Sequence, residues 1–256
     1  PLSLSYLKTL KSLSRELREE LVSKGKISIE FINSIPLRYN NNTSYNTTRR
    51  HLNVLVNYLY ENNFPIERSK LKGRKQEETL HKPIEDVKKL LAKVKVFNED
   101  LYLCCLFTYC CLLRPHQEIR LLKWEDFTSD LSHIRLSGNQ VKSKRNRIVP
   151  VSLKIREILS RKEGHLNIFT GLKQPYSRSY FIQLWRRFKR LNPEVDKEIT
   201  LYSFRHSGAI DIFKRTGSIT KLQKAMGHSS MTVSLTYLRG LEIRLLIPIQ
   251  WLISCM

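Results

Sequence analysis

The segments LYSFRHSGAI, residues 201–210, and KAMGHSSMTVSLTYLRG, residues 224–240, carry the residues that decide fold and chemistry together. The first contains Arg205, and the second has His228 nine residues before Tyr237. Taken singly, these residues also fit a helix cap, a loop histidine and a core aromatic. Taken together, they supply a guanidinium, an imidazole and a phenol, groups that can bind an anion, transfer a proton and act as a nucleophile.

Two segments upstream add further basic side chains. LLRPHQEIRLLKWEDF, residues 112–127, has Arg114 at the end of an apolar run, and Pro115 can start a second helix after it. This pattern puts Arg114 at the junction of two helices. The helical spacing that predicts the second one comes from Glu118, Ile119, Leu122 and Trp124.

A short β-hairpin is predicted in HIRLSGNQVKSKRNRIVPVS, residues 133–152. Apolar and polar residues alternate in HIRLS and again in RIVPV, as on half-buried strands, while Gly, Asn and Lys fill the stretch between. Lys142 and Lys144 lie near the predicted turn and project to the same face if their segment is extended. Ordinary phosphate anchoring is the simplest interpretation of either lysine.

The N-terminal part has the pattern of a small helical domain. Leucines recur at three-to-four spacing over residues 3–24, which predicts an amphipathic helix, and residues 27–35 predict a short second helix. The polar patch 40–50 leads into a third apolar run at residues 51–63.

A larger domain is predicted after a basic stretch interrupted by Gly and Pro. Residues 83–97 and 99–113 predict consecutive helices, the second almost wholly apolar and therefore a core helix. Four of the five cysteines fall in the second one, and since their spacing matches no zinc site we interpret them as small core residues in a reducing compartment. The predicted divisions are a helical domain at 1–68, a basic linker at 69–82, a mostly helical domain with one small sheet at 83–240 and a hydrophobic tail at 241–256.

The charge balance favours a polyanionic partner. Lys and Arg number 45 against 23 Asp and Glu, which gives a formal net charge of +22 and a pI near 10.0. Nucleic acid is the leading partner because its phosphates release counterions when lysines and arginines bind them. RNA binding, or charge that serves solubility alone, fits the same numbers. The chain has neither a signal-peptide pattern nor an apolar stretch of roughly 18 residues, so we expect a cytoplasmic protein with no membrane contact.

The order of the four segments resembles the tyrosine recombinases, the integrase-type enzymes of phages and mobile elements. Their catalytic domains carry an arginine, a hairpin lysine, the run H-x-L-R-H, the pair G-H and a tyrosine nine residues after that histidine. The resemblance spans residues 83 to 240. It implies that the catalytic residues are Arg114, Lys142, Tyr202, Arg205, His228 and Tyr237.

Two positions depart from the family pattern. Tyr202 stands where the first histidine of H-x-L-R-H is usual, so its polar contact is expected to differ, and Glu118 follows Arg114 by four residues where three are usual. The hairpin lysine is assigned to Lys142 because family members have it five residues before the arginine of R-[LI]-V-P, here Arg147.

The resemblance implies a strand-transfer reaction. Tyr237 attacks a DNA phosphate and holds the cut strand as a 3′-phosphotyrosine, while Arg114 and Arg205 bind the non-bridging oxygens. His228 donates to the same oxygens or helps to remove the phenol proton, and Lys142 protonates the leaving 5′ oxygen. Because the ester energy stays in the phosphotyrosine, no ATP, metal or other cofactor is expected.

The resemblance also implies an architecture and partners. The expected fold is mainly α with a small β-sheet, in which a helical core-binding domain and a catalytic domain close around duplex DNA as a C-shaped clamp. Four protomers are expected to assemble on two double-stranded recombination sites, with accessory DNA-bending proteins as further partners, at the nucleoid of a bacterial cell. The side chains expected to contact DNA are Lys70, Lys72, Arg74, Lys75, Lys144, Arg145 and Arg147.

Two other functions compete with recombination. A type IB topoisomerase would use the same chemistry to relax supercoils as a monomer, without strand exchange. A DNA-binding regulator that has lost catalysis is the second, with Tyr202 as its support.

The apolar tail, residues 241–256, is expected to dock on a neighbouring protomer, and packing into the core of its own chain is the alternative.

Overall fold

The structure is a computed structural model that describes residues 4–75, 81–141 and 145–238. The chain divides into two compact units, Pro1–Thr79 and Leu80–Met256. Helices dominate both units, and a two-stranded antiparallel sheet lies in the second. The predicted fold class, mainly α with a small sheet, is confirmed. In the described part of the chain, no helix combines the length and the apolar character needed to cross a membrane.

Three helices build the N-terminal unit: α1, Leu4–Lys24; α2, Ile29–Leu37; and α3, Asn42–Glu61. The leucine spacing of α1 turns Leu13 and Leu17 inward, where they meet apolar side chains of the other two helices. The predictions of α1 and α2 are confirmed. The main buried cluster of this unit consists of aliphatic side chains, namely Leu13, Leu17, Ile27, Ile32, Ile35, Leu52, Val56 and Ile66.

Helix α3 starts at Asn42, well before its apolar run. The polar patch 40–50, expected to lead into the helix, supplies most of its first half. The Asn41 side chain caps this end by accepting from the backbone N–H groups of Thr43 at 2.9 Å and Ser44 at 3.1 Å. Asn, Thr and Ser are weak helix formers, so periodicity missed an extension that the cap and tertiary contacts stabilise.

The C-terminal unit is built around α5, Glu99–Cys110, in which every side chain from 101 to 108 is buried. This confirms the predicted core helix. Helices α4, Val87–Phe97, and α8, Leu201–Thr216, pack against it. The other helices among the described residues of this unit are α6, Leu153–Arg156; α7, Tyr180–Leu191; α9, Ile219–Met226; and α10, Met231–Leu235.

The contact of α5 with α8 is close enough to restrict residue size. A Cβ atom at Gly208 would lie 2.1 Å from the Tyr109 carbonyl oxygen, so glycine is required there. The cysteines fill small spaces in the same region, where Cys104, Cys105 and Cys111 are buried free thiols, as predicted for core residues. The fifth cysteine of the sequence lies outside the described residues.

The predicted hairpin is confirmed as an antiparallel pair. Strand β1, His133–Leu136, pairs with β2, Arg147–Pro150, in a register that sets Leu136 opposite Arg147. Buried side chains alternate with more exposed ones along β1, which gives the sheet one face toward the core.

The helix predicted after Arg114 is wrong. Residues 115–118 form turns, and two short 3₁₀ segments follow, Ile119–Leu121 and Trp124–Asp126. The Asn167 side-chain amide donates to the carbonyl oxygens of Arg120 and Leu122, each at 2.9 Å, so both are engaged outside a helix. The spacing fits a helix, but hydrogen bonds to a distant part of the chain outweigh it.

Candidate active site

A cleft of about 710 Å³ opens on the C-terminal unit. Predicted catalytic residues from distant segments line it, namely Arg114, Tyr202, His228 and Tyr237. Arg205 is buried beside them. The remaining lining residues are His81, His116, Gln117, Arg178, Ile182, Gly227, Ser229 and Val233.

Arg205 is a buried guanidinium with donors to spare. It lies in α8, is 0% exposed and donates from Nη2 to the Met226 carbonyl oxygen at 3.1 Å. Its Nε and Nη1 atoms are also buried, and neither has a hydrogen-bond partner in the part of the chain that the structure describes. Burial, followed by the nearby Arg114, lowers the pKa of Arg205 to about 10, so the group stays charged at neutral pH. A buried cation with unpaired donors is suited to bind an anion.

Arg114 is oriented by a carboxylate four residues further on. Its Nη1 donates to Glu118 Oε1 at 2.5 Å, and its backbone N–H donates to Glu118 Oε2 at 2.9 Å. Glu118 is 1% exposed and also accepts from Arg147 Nη2 at 3.1 Å. Since the carboxylate engages Nη1 of the Arg114 guanidinium, the other side-chain donors can face a ligand in the cleft.

His228 is held at the start of the loop after α9. Gly227, which ends α9, has a φ of +65°, and the His228 Nδ1 atom lies 3.0 Å from Ser234 Oγ. Burial, then the charges of Arg205 and Arg114, lower the pKa of His228 to about 4. The imidazole is therefore neutral at pH 7 and can accept a proton.

The Tyr237 ring lies beside two imidazoles. Its centroid is 5.5 Å from that of His206 and 5.5 Å from that of His228. The Tyr237 N–H donates to the Ser234 carbonyl oxygen at 3.1 Å, and the hydroxyl of the same serine contacts the ring of His228. The short helix α10 thus folds the nine-residue step back on itself and brings histidine and tyrosine together.

Tyr202 occupies the side of the cleft where the family pattern has a histidine. Its ring stacks on His81 with 5.2 Å between centroids and lies 6.1 Å from His116. Burial raises the pKa of Tyr202, while the charges of Arg114 and Arg205 act in the opposite sense. The phenol is therefore neutral at pH 7 and can act as a hydrogen-bond donor.

Comparison with known proteins adds a family to this geometry. A family model described as the phage integrase family matches residues 83–242, more than half of the chain and every predicted catalytic residue. The chain belongs to the phage integrase family. No curated protein matches the chain by sequence.

Solved structures of phage integrase relatives share the fold at low identity. The lambda integrase dimer bound to a COC′ core site has a TM-score of 0.73 at 16% identity, over 93% of this chain and 72% of that one. The Tn1549 transposon integrase in complex with a circular intermediate DNA gives 0.63 at 15% identity, over 92% and 90%. The XerH site-specific recombinase bound to a palindromic difH substrate gives 0.60 at 17%, over 87% and 71%.

The hairpin side chains of this integrase that were predicted to contact DNA lie in different surroundings. Lys142 and Lys144 lie outside the described residues, and Arg145 is exposed. Arg147 is instead engaged inside the protein, where Nη1 donates to the Met226 carbonyl oxygen at 2.7 Å. Its second partner is Glu118, so both Nη groups are used internally, while the buried Nε has no hydrogen-bond partner among the described residues.

The predicted linker contacts lie on a strap, residues 69–75, that is bonded to α3. Asn46 donates to the Arg74 carbonyl oxygen at 2.7 Å and accepts from its N–H at 2.9 Å, while Tyr45 Oη donates to the Lys72 carbonyl oxygen at 3.0 Å. The Arg74 guanidinium lies over the Tyr45 ring, 3.9 Å from its centroid. The strap is therefore ordered as part of the N-terminal unit. Exposed lysines along it are Lys70, Lys72 and Lys75.

Several residues of the integrase cleft escaped sequence reasoning. His81 lies at the end of the predicted linker, and Arg178 belongs to none of the four segments. His116 stands inside one of the four segments, but a histidine in such a segment gives no signal of which cavity it lines. Glu118 did have a sequence signal, because it follows Arg114 by four residues where three are usual. In the structure, its carboxylate accepts two hydrogen bonds from Arg114.

Proposed function

We propose that this chain carries out site-specific DNA recombination through a covalent 3′-phosphotyrosine intermediate. The observation that carries the proposal is the grouping of Tyr237, Arg114 and His228 in one cleft, beside the buried Arg205, whose Nε and Nη1 have no hydrogen-bond partner among the described residues. Family membership supports the same class of enzyme.

The two guanidiniums stabilise the charge that develops on the phosphate. Arg205 offers Nε and Nη1, and Arg114 offers the donors that Glu118 leaves free, to the non-bridging oxygens. Because both cations are fixed before DNA binds, little reorganisation is needed when the pentacoordinate phosphorus forms.

The covalent step exchanges one ester for another. The Tyr237 oxygen forms a bond to phosphorus as the bond from phosphorus to the 5′ oxygen breaks, which leaves a 3′-phosphotyrosine and a 5′ hydroxyl. His228, neutral at pH 7, takes the phenol proton, and Lys142 gives a proton to the leaving oxygen. Strand exchange follows when the 5′ hydroxyl of the partner strand attacks the phosphotyrosine and releases Tyr237.

Duplex DNA is the proposed partner of both units. The exposed Lys70, Lys72, Lys75 and Arg145 fit contacts with phosphates, and solved relatives include lambda integrase bound to a core site and XerH bound to difH. A clamp around the duplex, a tetramer on paired sites and accessory DNA-bending proteins stay predictions for this chain.

A nicked duplex tests the covalent step directly. It is built on a sequence that the protein selects from a random pool, with the nick placed so that the cleaved fragment diffuses away. Wild-type protein should accumulate a covalent adduct, and Tyr237→Phe should bind equally well and form none. Tyr102→Phe, a buried α5 residue outside the cleft, is the matched control and should react normally. An adduct at normal yield from Tyr237→Phe would disprove the assignment.

Assays on the same wild-type protein distinguish the competing functions. A topoisomerase would relax supercoiled plasmid without joining strands of two sites, and a regulator without catalysis would bind the nicked duplex and form no adduct. Recombination requires both the adduct and strand exchange between two sites.

We also propose that the tail, residues 241–256, which lies outside the described residues, docks on a neighbouring protomer. Deleting residues 247–256 should weaken the pairing of two sites more than binding to one half-site. Equal half-site binding and equal pairing by the truncated and full chains in gel-shift titrations would contradict it.

A further inference from the structure

Arg147 lies at the centre of a buried hydrogen-bond network. Its Nη1 donates to the Met226 carbonyl oxygen at 2.7 Å and its Nη2 to Glu118 Oε2 at 3.1 Å. Each acceptor also serves another arginine, since Glu118 orients Arg114 and the Met226 carbonyl accepts from Arg205. Arg147 therefore donates to the same two acceptors as Arg114 and Arg205, the guanidiniums proposed to bind the phosphate. We call the network of Arg114, Glu118, Arg147, Arg205 and the Met226 carbonyl the arginine hub.

The fold leaves space for the Arg147 side chain at Gly227. A Cβ atom there would lie 2.6 Å from Arg147 Nη1 and 2.8 Å from its Cδ. These distances are too short for a side chain, and the φ of +65° also favours glycine. Because Gly227 directly precedes His228, the guanidinium packs against the backbone that leads into the histidine.

We propose that Arg147 is a positioning residue for strand cleavage, which fixes the spacing of Arg114 and Arg205 through Glu118 and the Met226 carbonyl instead of contacting DNA. This inference rests on the function proposed above. It replaces the sequence-based expectation that Arg147 binds DNA, because its donors to Glu118 and Met226 already serve acceptors inside the protein.

The chemistry of the bridge requires an arginine. A guanidinium is a planar fork whose nitrogens reach two acceptors at a fixed spacing, as Nη1 and Nη2 do here. A lysine would keep the charge but lose this fixed two-point geometry. A methionine would keep much of the length and leave Glu118 with a single guanidinium partner. The Lys and Met variants therefore separate the effect of charge from that of geometry.

Two measurements on Arg147→Met test the proposal. Half-site affinity, titrated at several salt concentrations, should stay within about twofold of wild type with the same salt slope. Single-turnover cleavage of the nicked duplex should fall about 100-fold, as expected when reacting groups are slightly misplaced. Arg147→Lys should recover a minor part of the rate. Arg161→Met, which removes a guanidinium bonded to the Thr128 carbonyl oxygen outside the cleft, is the matched control and should change neither quantity.

A neutral substrate separates positioning from a general loss of structure. On a methylphosphonate, which lacks one negative oxygen, the guanidiniums contribute less, so Arg147→Met should cost less than on the phosphate. Equal slowing on both substrates would contradict positioning of Arg114 and Arg205. So would weaker half-site binding with a salt slope reduced by about one, since that is the signature of a lost phosphate contact.

The outcomes for the two proposals are distinct. If Arg147→Met cleaves at the wild-type rate, the positioning role is wrong and the proposed function stands. If the wild-type chain forms no adduct on a nicked duplex that it binds, the proposed function fails and the role of Arg147 fails with it.

Discussion

The centres of the two units have opposite chemistry. The N-terminal unit buries eight aliphatic side chains against one another. The C-terminal unit also has a large apolar core, but beside it lie buried Arg205, Glu118 and His206. Buried apolar area stabilises a fold without directing it to a ligand, whereas a buried charge costs free energy unless it is paired. The first centre therefore serves stability, and the arginine hub serves a site at the expense of stability.

The comparison predicts that substitutions in the two centres have different consequences. A change in the aliphatic core should lower the free energy of unfolding and leave the chemistry of the folded protein intact. A change in the arginine hub should impair the chemistry of the folded protein without lowering the free energy of unfolding. A core variant that slows the cleavage step, or a hub variant whose cleavage defect follows from lost stability, would break this distinction.

Arg205→Met is expected to have the largest effect. Losing a preorganised donor to the phosphate should slow single-turnover cleavage about a thousandfold. The free energy of unfolding, measured by urea denaturation, should stay equal or rise, because Nε and Nη1 of Arg205 are buried and find no partner within residues 4–75, 81–141 and 145–238. A cleavage defect explained wholly by a fall in stability would contradict the comparison.

Lys142→Ala should come next, with cleavage slowed by a factor on the order of a thousand if the lysine is the general acid. On a duplex with sulfur at the 5′ bridging position the variant should recover, since the sulfur leaves without a proton. Lys144→Ala is the matched control, and recovery by that variant instead would move the role to Lys144.

Much of the fold followed from the sequence because local patterns and tertiary packing agree there. The leucine spacing of α1, the apolar sequence of α5 and the alternation in β1 each indicate directly which side chains are buried. Residues 115–124 did not follow, because the Asn167 side chain competes for their carbonyl groups from a distant position. The first half of α3 was missed because its stabilising contacts involve a cap and the strap.

The candidate site also has parts that could be predicted from the sequence and parts that could not. The resemblance to the tyrosine recombinases led us to expect Arg114, Arg205, His228 and Tyr237 in one site, and only the step from His228 to Tyr237 is set locally, by the short helix α10. The bridge from Arg147 to Glu118 joins residues 29 positions apart and has no local pattern. His81 reaches the cleft only through folding, so no motif marks it.

Leu52→Ala tests the aliphatic centre. Leu52 lies in α3, is 1% exposed, and its truncation should lower the free energy of unfolding by about 3 kcal/mol. The cleavage rate of the DNA-bound, folded fraction should not change. Val54→Ala, on the exposed side of the same helix, is the matched control and should have little effect on unfolding. A slowed cleavage step in Leu52→Ala would show that the two centres are not independent.

The smallest effect concerns pH. Burial, then His81, lowers the pKa of His206 to about 4, so the folded protein keeps this ring neutral while the unfolded chain takes up a proton below about pH 6.5. Its contribution to stability is present above pH 6.5 and is lost as the pH falls toward 4. In that window His206→Asn should reduce the slope of unfolding free energy against pH by about 1 kcal/mol per pH unit. An unchanged slope in urea titrations would contradict a neutral, buried His206.

The central claim is that Tyr237 holds the 3′ end of the cut strand. The direct measurement is to digest the covalent adduct with a protease, identify the peptide that carries the nucleotide by mass spectrometry, and determine which strand end is blocked to exonuclease. The account predicts a nucleotide on Tyr237, joined through a 3′ phosphate, with a free 5′ hydroxyl on the other fragment. A nucleotide on Tyr202 or another residue, or a link through the 5′ phosphate, would contradict it.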